Sequence, residues 1–423
     1  MRDSACHSPD HALSRRRFLG ALGGAGLGAL MQPVIAEEAR KQGKQVIFIW
    51  LDGGLSQYES WDPKPDCEFG GPFRPIKTSV DGVQVCELMP RTAKLMHHLA
   101  LVRSMSTKDP NHSTGVARIQ RGDPKNRGVD YPFLGAAVTK LLGAPANGLP
   151  PYIWIKPGSG GFIWQEAGFL GAKYGALALG DGKPPIHLAR PADVSEASDT
   201  ARNELRRLAN ARFRVDRGES AIDAWDASFD MARQLMAKRE LFDSSRLAAA
   251  EVARYGTHPL GRHLLLARRL IEEGVQFVKV TSYHWDTHGD HFNTCRQLVP
   301  QMDQPYAALI GDLAERGLLD RVLVVCMSEF GRTPTINSRL GRDHWPDAWS
   351  LALAGASLKR GIVVGKTTTN GAWVEESPFD VGHLFHTLFA ALGVRSHSAE
   401  YDNNGQPLPA AREDCGPIKE VLA

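Results

Sequence analysis

Cysteine is scarce in this chain, and its scarcity excludes two classes of protein. Six cysteines occur in 423 residues. Those beyond the N-terminal segment (Cys67, Cys86, Cys295, Cys326 and Cys415) are widely spaced and form no C-x-x-C pair. Such spacing gives neither a disulfide scaffold nor a zinc ribbon. With no haem motif and no blue-copper spacing either, an electron-transfer role has no support. Cys67 and Cys86 could pair in an oxidising compartment, whereas Cys326 lies inside an apolar run and reads as core. Charge of one sign is lacking too, with 50 Lys and Arg against 47 Asp and Glu. No Lys/Arg-rich tract follows the N-terminus, so no nucleic-acid partner is expected. Nor is any apolar run long enough to give the mature chain a stable membrane span.

An address signal is present. Ser14-Arg15-Arg16-Arg17-Phe18-Leu19 matches the twin-arginine export pattern except at its last position, Gly20. A Gly/Ala-rich stretch to Met31 follows, and Val34-Ile35-Ala36 offers a small-residue cleavage site before Glu37. Residues 1–36 are therefore expected to be a twin-arginine signal peptide, removed on export to the periplasm or beyond. Residues 37–423 are expected to form one α/β domain.

Glycine and proline are plentiful (42 and 26), as suits a protein with many ordered loops. Between the loops, short β-branched runs alternate with helical spacing. Strands are predicted at Val46–Leu51, Ala100–Met105, Tyr152–Ile155, Val275–Val280, Val322–Met327 and Ser350–Ala354. Helices are predicted at Leu88–Leu99, Ser113–Gln120, Phe133–Leu142, His263–Glu273, Leu298–Arg316 and Val381–Leu392. Pro157 to Pro185 reads as a long surface loop near the site, and about 195–255 as a helical insertion or cap. The alternation implies a mostly parallel central sheet with helices on both faces.

Acidic and histidine residues stand where these apolar runs end. Asp52 follows the first run, Asp286 and His288 follow the fourth, and Glu329 follows the fifth, with Asp343-His344 one loop later. Ligands bind beyond the carboxyl ends of strands in open α/β sheets. Carboxylates and imidazoles gathered there call for a cation, and a mixed O/N set suits zinc or manganese. Blander readings exist for each: a turn cap for Asp52, a loop of hydrogen-bonded histidines around 284–291, a surface pair for Glu329 and Arg332. The functional reading of Arg332 is an anion clamp, because guanidinium matches phosphate or sulfate oxygens bidentately. His112 is a candidate ligand, base or unusual nucleophile.

Several segments in order resemble the DUF1501 family of exported bacterial proteins, within the alkaline phosphatase/sulfatase-like superfamily. They are Phe48-Ile49-Trp50-Leu51-Asp52-Gly53-Gly54-Leu55-Ser56-Gln57, Trp61-Asp62-Pro63-Lys64-Pro65, Val102-Arg103-Ser104-Met105, Trp285-Asp286-Thr287-His288, Ser328-Glu329-Phe330-Gly331-Arg332-Thr333-Pro334 and Gly341-Arg342-Asp343-His344-Trp345. The resemblance implies an alkaline phosphatase-like fold and one or two divalent ions (Zn, Mn, Mg or Ca) at the sheet's carboxyl edge. It implies hydrolysis of phosphate or sulfate esters, with a sulfated or phosphorylated glycan as one such anionic substrate. Asp52, Asp286, His288, Glu329 and His344 resemble metal-binding positions. Phe330 replaces a histidine of that pattern, which leaves one metal a ligand short unless Asp343 supplies it.

The nucleophile is the larger departure. His112 stands ten residues before Gly122, where relatives begin a helix with a hydroxyl or formylglycine. Ser113 or Thr114 could serve with a small shift. Two expectations follow: an exported metal-dependent ester hydrolase, or a non-catalytic metal- or glycan-binding protein that has lost its nucleophile.

Overall fold

The first strand explains the layering. All of Gln45–Leu51 is buried, and its side chains alternate between two cores. Ile47, Ile49 and Leu51 enter one hydrophobic cluster; Val46, Phe48 and Trp50 enter the other. A strand buried on both faces reads as a continuous apolar run, as this one does. A computed structural model describes residues 43–423 apart from 144–148, 164, 185–187, 218–219 and 244–245. The expected signal peptide lies outside the described residues.

Nine strands form the central sheet: β1 Gln45–Leu51, β2 Leu99–Met105, β3 Tyr152–Lys156, β4 Gly161–Ile163, β5 Ala176–Gly180, β6 Phe277–Ser282, β7 Val322–Met327, β8 Trp349–Gly355 and β9 Ile362–Val364. Their order is β9-β2-β8-β7-β1-β6-β3-β5-β4. All run the same way except β8 and β4, which pair antiparallel with their neighbours. The mostly parallel α/β sheet expected from the sequence is the observed fold.

Helices cover both faces. The main ones are α1 His112–Arg121, α2 Leu134–Leu142, α3 Glu196–Arg217, α4 Ser220–Ala237, α5 Ala249–Tyr255, α6 Pro259–Glu272, α7 His291–Glu315 and α8 Val381–Ala391. Leu264, Leu270, Val299, Met302 and Leu309 bring α6 and α7 onto the Ile47 face. Ile119, Leu134, Val138, Leu384 and Phe385 bring α1, α2 and α8 onto the Trp50 face. Burying each such side chain contributes about 1.5–3 kcal/mol. A buried ion pair reinforces the second face. Lys279 Nζ on β6 bonds Glu166 and the Gln120 amide of α1, both at 2.7 Å.

Three sequence expectations change. The helix expected over Leu88–Leu99 is only one turn, Pro90–Ala93, followed by a 3-10 turn at Met96–His98. The loop expected from Pro157 to Pro185 contains β4 and β5, because flanking glycines mask the short apolar run Ala176–Leu179. Helix α7 begins at His291 and runs through Pro300 and Pro305. Each proline costs a helix interior about 3 kcal/mol, which the buried Val299, Met302 and Tyr306 offset. Among the described residues of 195–255 lie the helices α3, α4 and α5. Cys67 and Cys86 are free thiols, and Cys86 is core. Among the described residues no helix is long and apolar enough to cross a membrane.

Candidate metal centre

The segments after β1 and β6 and the first turns of α1 and α7 line an open cleft of about 610 Å³, with Asp52, His112, Tyr283, His284 and Asp286 in its wall. Two glycines allow the approach. A Cβ on Gly53 (φ +121°) would lie 2.4 Å from Asp286 N, and one on Gly54 (φ +97°) would lie 2.8 Å from the Phe330 ring. Only glycine tolerates both that backbone and that proximity.

Three imidazoles surround one carboxylate. Asp286 Oδ1 lies 3.0 Å from His288 Nε2 and 3.0 Å from His344 Nε2, and these nitrogens are 2.9 Å apart. His112 Nε2 is 3.4 Å from Asp286 Oδ2. Each ring is held at its other nitrogen. His344 Nδ1 donates to the Pro110 carbonyl (2.6 Å), His288 Nδ1 to Asp343 Oδ1 (2.5 Å) and His112 Nδ1 to Glu329 Oε1 (2.8 Å). Anchored Nδ1–H groups leave each Nε2 as an acceptor turned inward, the orientation that metal-ligating histidines adopt.

The electrostatics agree. Burial keeps the His344 imidazole below its ordinary pKa, hence neutral. Burial would raise the Asp286 carboxyl, but Arg332, His344 and His288 pull it well below the usual range. Hydrogen bonding to Glu329 raises His112, while burial raises Glu329 itself. Three acceptors (His288 Nε2, His344 Nε2 and Asp286 Oδ1) thus stand within 3.0 Å of one another. Arg332 neutralises the Asp286 oxygen (2.7 Å), and the two facing nitrogens would need a shared proton or a bound cation between them.

A family model described as "Protein of unknown function (DUF1501)" matches residues 43–422. The chain belongs to the DUF1501 family. No curated protein matches it in sequence. Among solved structures it is similar to the PsFucS1 sulfatase from Pseudoalteromonas sp. (14% identity, TM-score 0.40, 90% of this chain and 74% of that one). It is similar also to a protein of the alkaline phosphatase superfamily from Vibrio parahaemolyticus (11% identity, TM-score 0.37, 90% and 70% covered). A third is the lipoteichoic acid synthase LtaP from Listeria monocytogenes (9% identity, TM-score 0.34, 90% and 76% covered).

This DUF1501 chain brings Asp286, His288, His344 and His112 together and gives other expected ligands different work. Asp343 is an anchor: its Oδ1 takes His288 Nδ1 and the Asn337 amide (3.1 Å). Glu329 is also an anchor, its Oε1 accepting from His112 and from Gly53 N (2.9 Å). Its Oε2 is buried without a protein partner among the described residues. Asp52 lines the cleft, but its Oδ1 accepts from Trp50 Nε1 (2.8 Å) outside the converging set.

Arg332 is no anion clamp. It is fully buried, and its guanidinium donates to the carbonyls of Gly53, Gly54, Trp285 and Arg342 and to Asp286 Oδ1 (2.7 Å). The alternative of a surface Glu329–Arg332 pair fails as well, since both are buried. His112, first residue of α1, is the member of its helix that reaches the cluster. Ser113 and Thr114 are exposed on the same turn, and the Thr114 hydroxyl donates to Asp109 (3.1 Å). Phe330 forms a wall, stacked on His344 with ring centroids 4.2 Å apart and lying 5.1 Å from His112.

A network that sequence reasoning missed lies beneath the cluster. Glu59 is buried and accepts from His291 Nε2 (2.8 Å), Arg342 Nη2 (3.1 Å) and Ser56 Oγ. Thr287 Oγ1 lies 2.6 Å from His291 Nδ1. The loop after β1 is thereby tied to both segments that carry the histidines. Glu59 shares the buried run 53–62 with a second acid, Asp62, and nothing in the sequence alone separates the two. Of the remaining histidines, His383 completes the cap of α8 and His386 is buried against Ser396 and the Arg412 carbonyl.

Proposed function

We propose that this chain is an exported, metal-dependent hydrolase of phosphate or sulfate esters, acting on an anionic glycan or a similar substrate. One observation carries the reading: three Nδ1-anchored imidazoles converge through Nε2 on Asp286, a mixed N/O set suited to a divalent cation. His288, His344, Asp286 and His112 would hold a divalent ion of the zinc or manganese type. When bound, such an ion polarises an ester oxygen and acidifies a water molecule. Asp343, Glu329 and the Pro110 carbonyl keep the rings aimed, and Arg332 fixes the Asp286 carboxylate. Where His288, His344 and Asp286 alone hold the ion, His112, partly exposed on the cleft wall, is left free to accept or return a proton at Nε2. Export rests on the twin-arginine pattern at Ser14–Leu19.

A second reading is a non-catalytic metal- or glycan-binding protein. It is favoured by the absence of a hydroxyl among the cluster contacts of α1 and by the apolar Phe330 wall.

Metal analysis of the mature protein beside an Asp286→Ala/His288→Ala double variant, followed by a phosphate- and sulfate-ester panel, separates the two readings. The hydrolase reading expects a bound divalent ion that the variant loses, and turnover that vanishes with it. Bound metal without turnover on any ester leaves the binding protein. Absence of metal from the wild type would sink both metal readings.

A further inference from the structure

A second cavity, of about 250 Å³, opens beside the cleft at the same carboxyl edge of the sheet. Pro157 after β3, Asp181 after β5, and His258 and His263 at the start of α6 form one side. Tyr283 and His284 form the other, and both also line the metal cleft, so the two spaces share a wall. Asp181 and His284 are non-glycine residues in the left-handed region (φ +53° and +77°). Held strain of this kind collects at ligand sites. The Asp181 carboxylate is fixed by Gly158 N–H at 3.0 Å. His263 is buried, its Nε2 has no protein partner among the described residues, and burial lowers its pKa to about 4, so it stays neutral.

From this lining we infer that the cavity is a saccharide subsite, holding an uncharged sugar unit next to the ester-bearing unit in the metal cleft. The inference rests on the hydrolase reading for the neighbouring unit. Asp181 and the imidazoles match hydroxyl donors and acceptors, while Tyr283 and Pro157 offer apolar faces to a ring. A carboxylate on the wall would repel a second sulfate or phosphate there, which selects a neutral unit.

The test is calorimetric titration of the purified wild-type protein with lactose, cellobiose and their monosulfates. It is repeated on Asp181→Asn, which tolerates the left-handed backbone, and on His258→Asn, which keeps a capping side chain on α6. The expected result is binding of a neutral disaccharide that weakens about tenfold or more in Asp181→Asn, the size of one lost charge-assisted hydrogen bond. Metal content and hydrolysis of 4-nitrophenyl phosphate or sulfate stay at wild-type levels. Failure of every saccharide to bind, or equal binding by wild type and both variants, overturns the subsite. Saccharide binding that depends on Asp181 and His258 upholds the subsite even where no ester is turned over, an outcome that sinks only the hydrolase reading.

Discussion

Replacing Glu59 with Gln tests whether the buried network beneath the cluster holds the site loops together. Burial alone would raise the Glu59 carboxyl, but His291 and Arg342 outweigh it and bring its pKa from an ordinary 4.5 to about 2. By linkage that difference amounts to about 3 kcal/mol of folding stability. The sign follows from proton uptake. Above pH 4.5 both states are ionised and the full contribution is present; between 4.5 and 2 the unfolded chain binds the proton first, and the contribution is lost. Breaking the pair from the other side gives a similar size. Arg342 is fully buried, with its remaining donors on the carbonyls of Thr333, Pro334 and Phe69. Stranding such a charge costs about 3–5 kcal/mol. Urea unfolding should therefore show Glu59→Gln less stable by about 3–5 kcal/mol at pH 7, with the gap to wild type narrowing as pH falls from 4.5 toward 2. A gap that stays constant over that range, or an unchanged midpoint at pH 7, would refute the reasoning.

Two further substitutions address the cluster directly. Gly53→Ala places a methyl 2.4 Å from Asp286 N on a backbone with φ +121°, so it should cost at least about 1–3 kcal/mol by thermal unfolding and weaken metal binding by displacing Asp286. Wild-type stability and metal affinity in that variant would show that the close approach does not matter. Glu329→Leu removes the acceptor that aims His112 and should weaken metal binding about 10–100-fold in a chelator competition, whereas Glu329→Gln, which keeps an acceptor oxygen, should recover most of it. Equal affinities for the two variants would show that Glu329 does not act through His112.

The sheet was legible because burial on both faces writes itself as uninterrupted β-branched runs: Val322–Met327 is both the predicted and the observed β7. Segments without that signature were not. Ala176–Gly180 is a buried strand of small and simple side chains between glycine-rich flanks, and composition alone made it loop. The helix over Leu88–Leu99 had the right spacing but meets Pro90 and a 3-10 turn, so local geometry overrode periodicity. The proximity of Asp286, His288, His344 and His112 was legible for the same reason as the strands, since polar residues at the carboxyl edge of a sheet share one crevice.

Role within the site was a different matter, because role depends on which atom faces which. Asp343, Glu329 and Arg332 all carry ligand or clamp chemistry, yet each is spent on a neighbour: Asp343 on His288, Glu329 on His112, Arg332 on four carbonyls and Asp286. Phe330 makes the consequence visible. Its ring is fully buried and stacks on His344, so that side of the cluster offers no donor atom. The proposed cation would then meet a nitrogen-rich donor set, with Asp52 elsewhere on the cleft wall. Among divalent ions a nitrogen-rich set favours zinc over magnesium or calcium, which prefer all-oxygen shells. Under the metal reading proposed above, the ion expected is therefore a single borderline one held by imidazoles, and metal analysis giving two magnesium or calcium ions per chain would refute it.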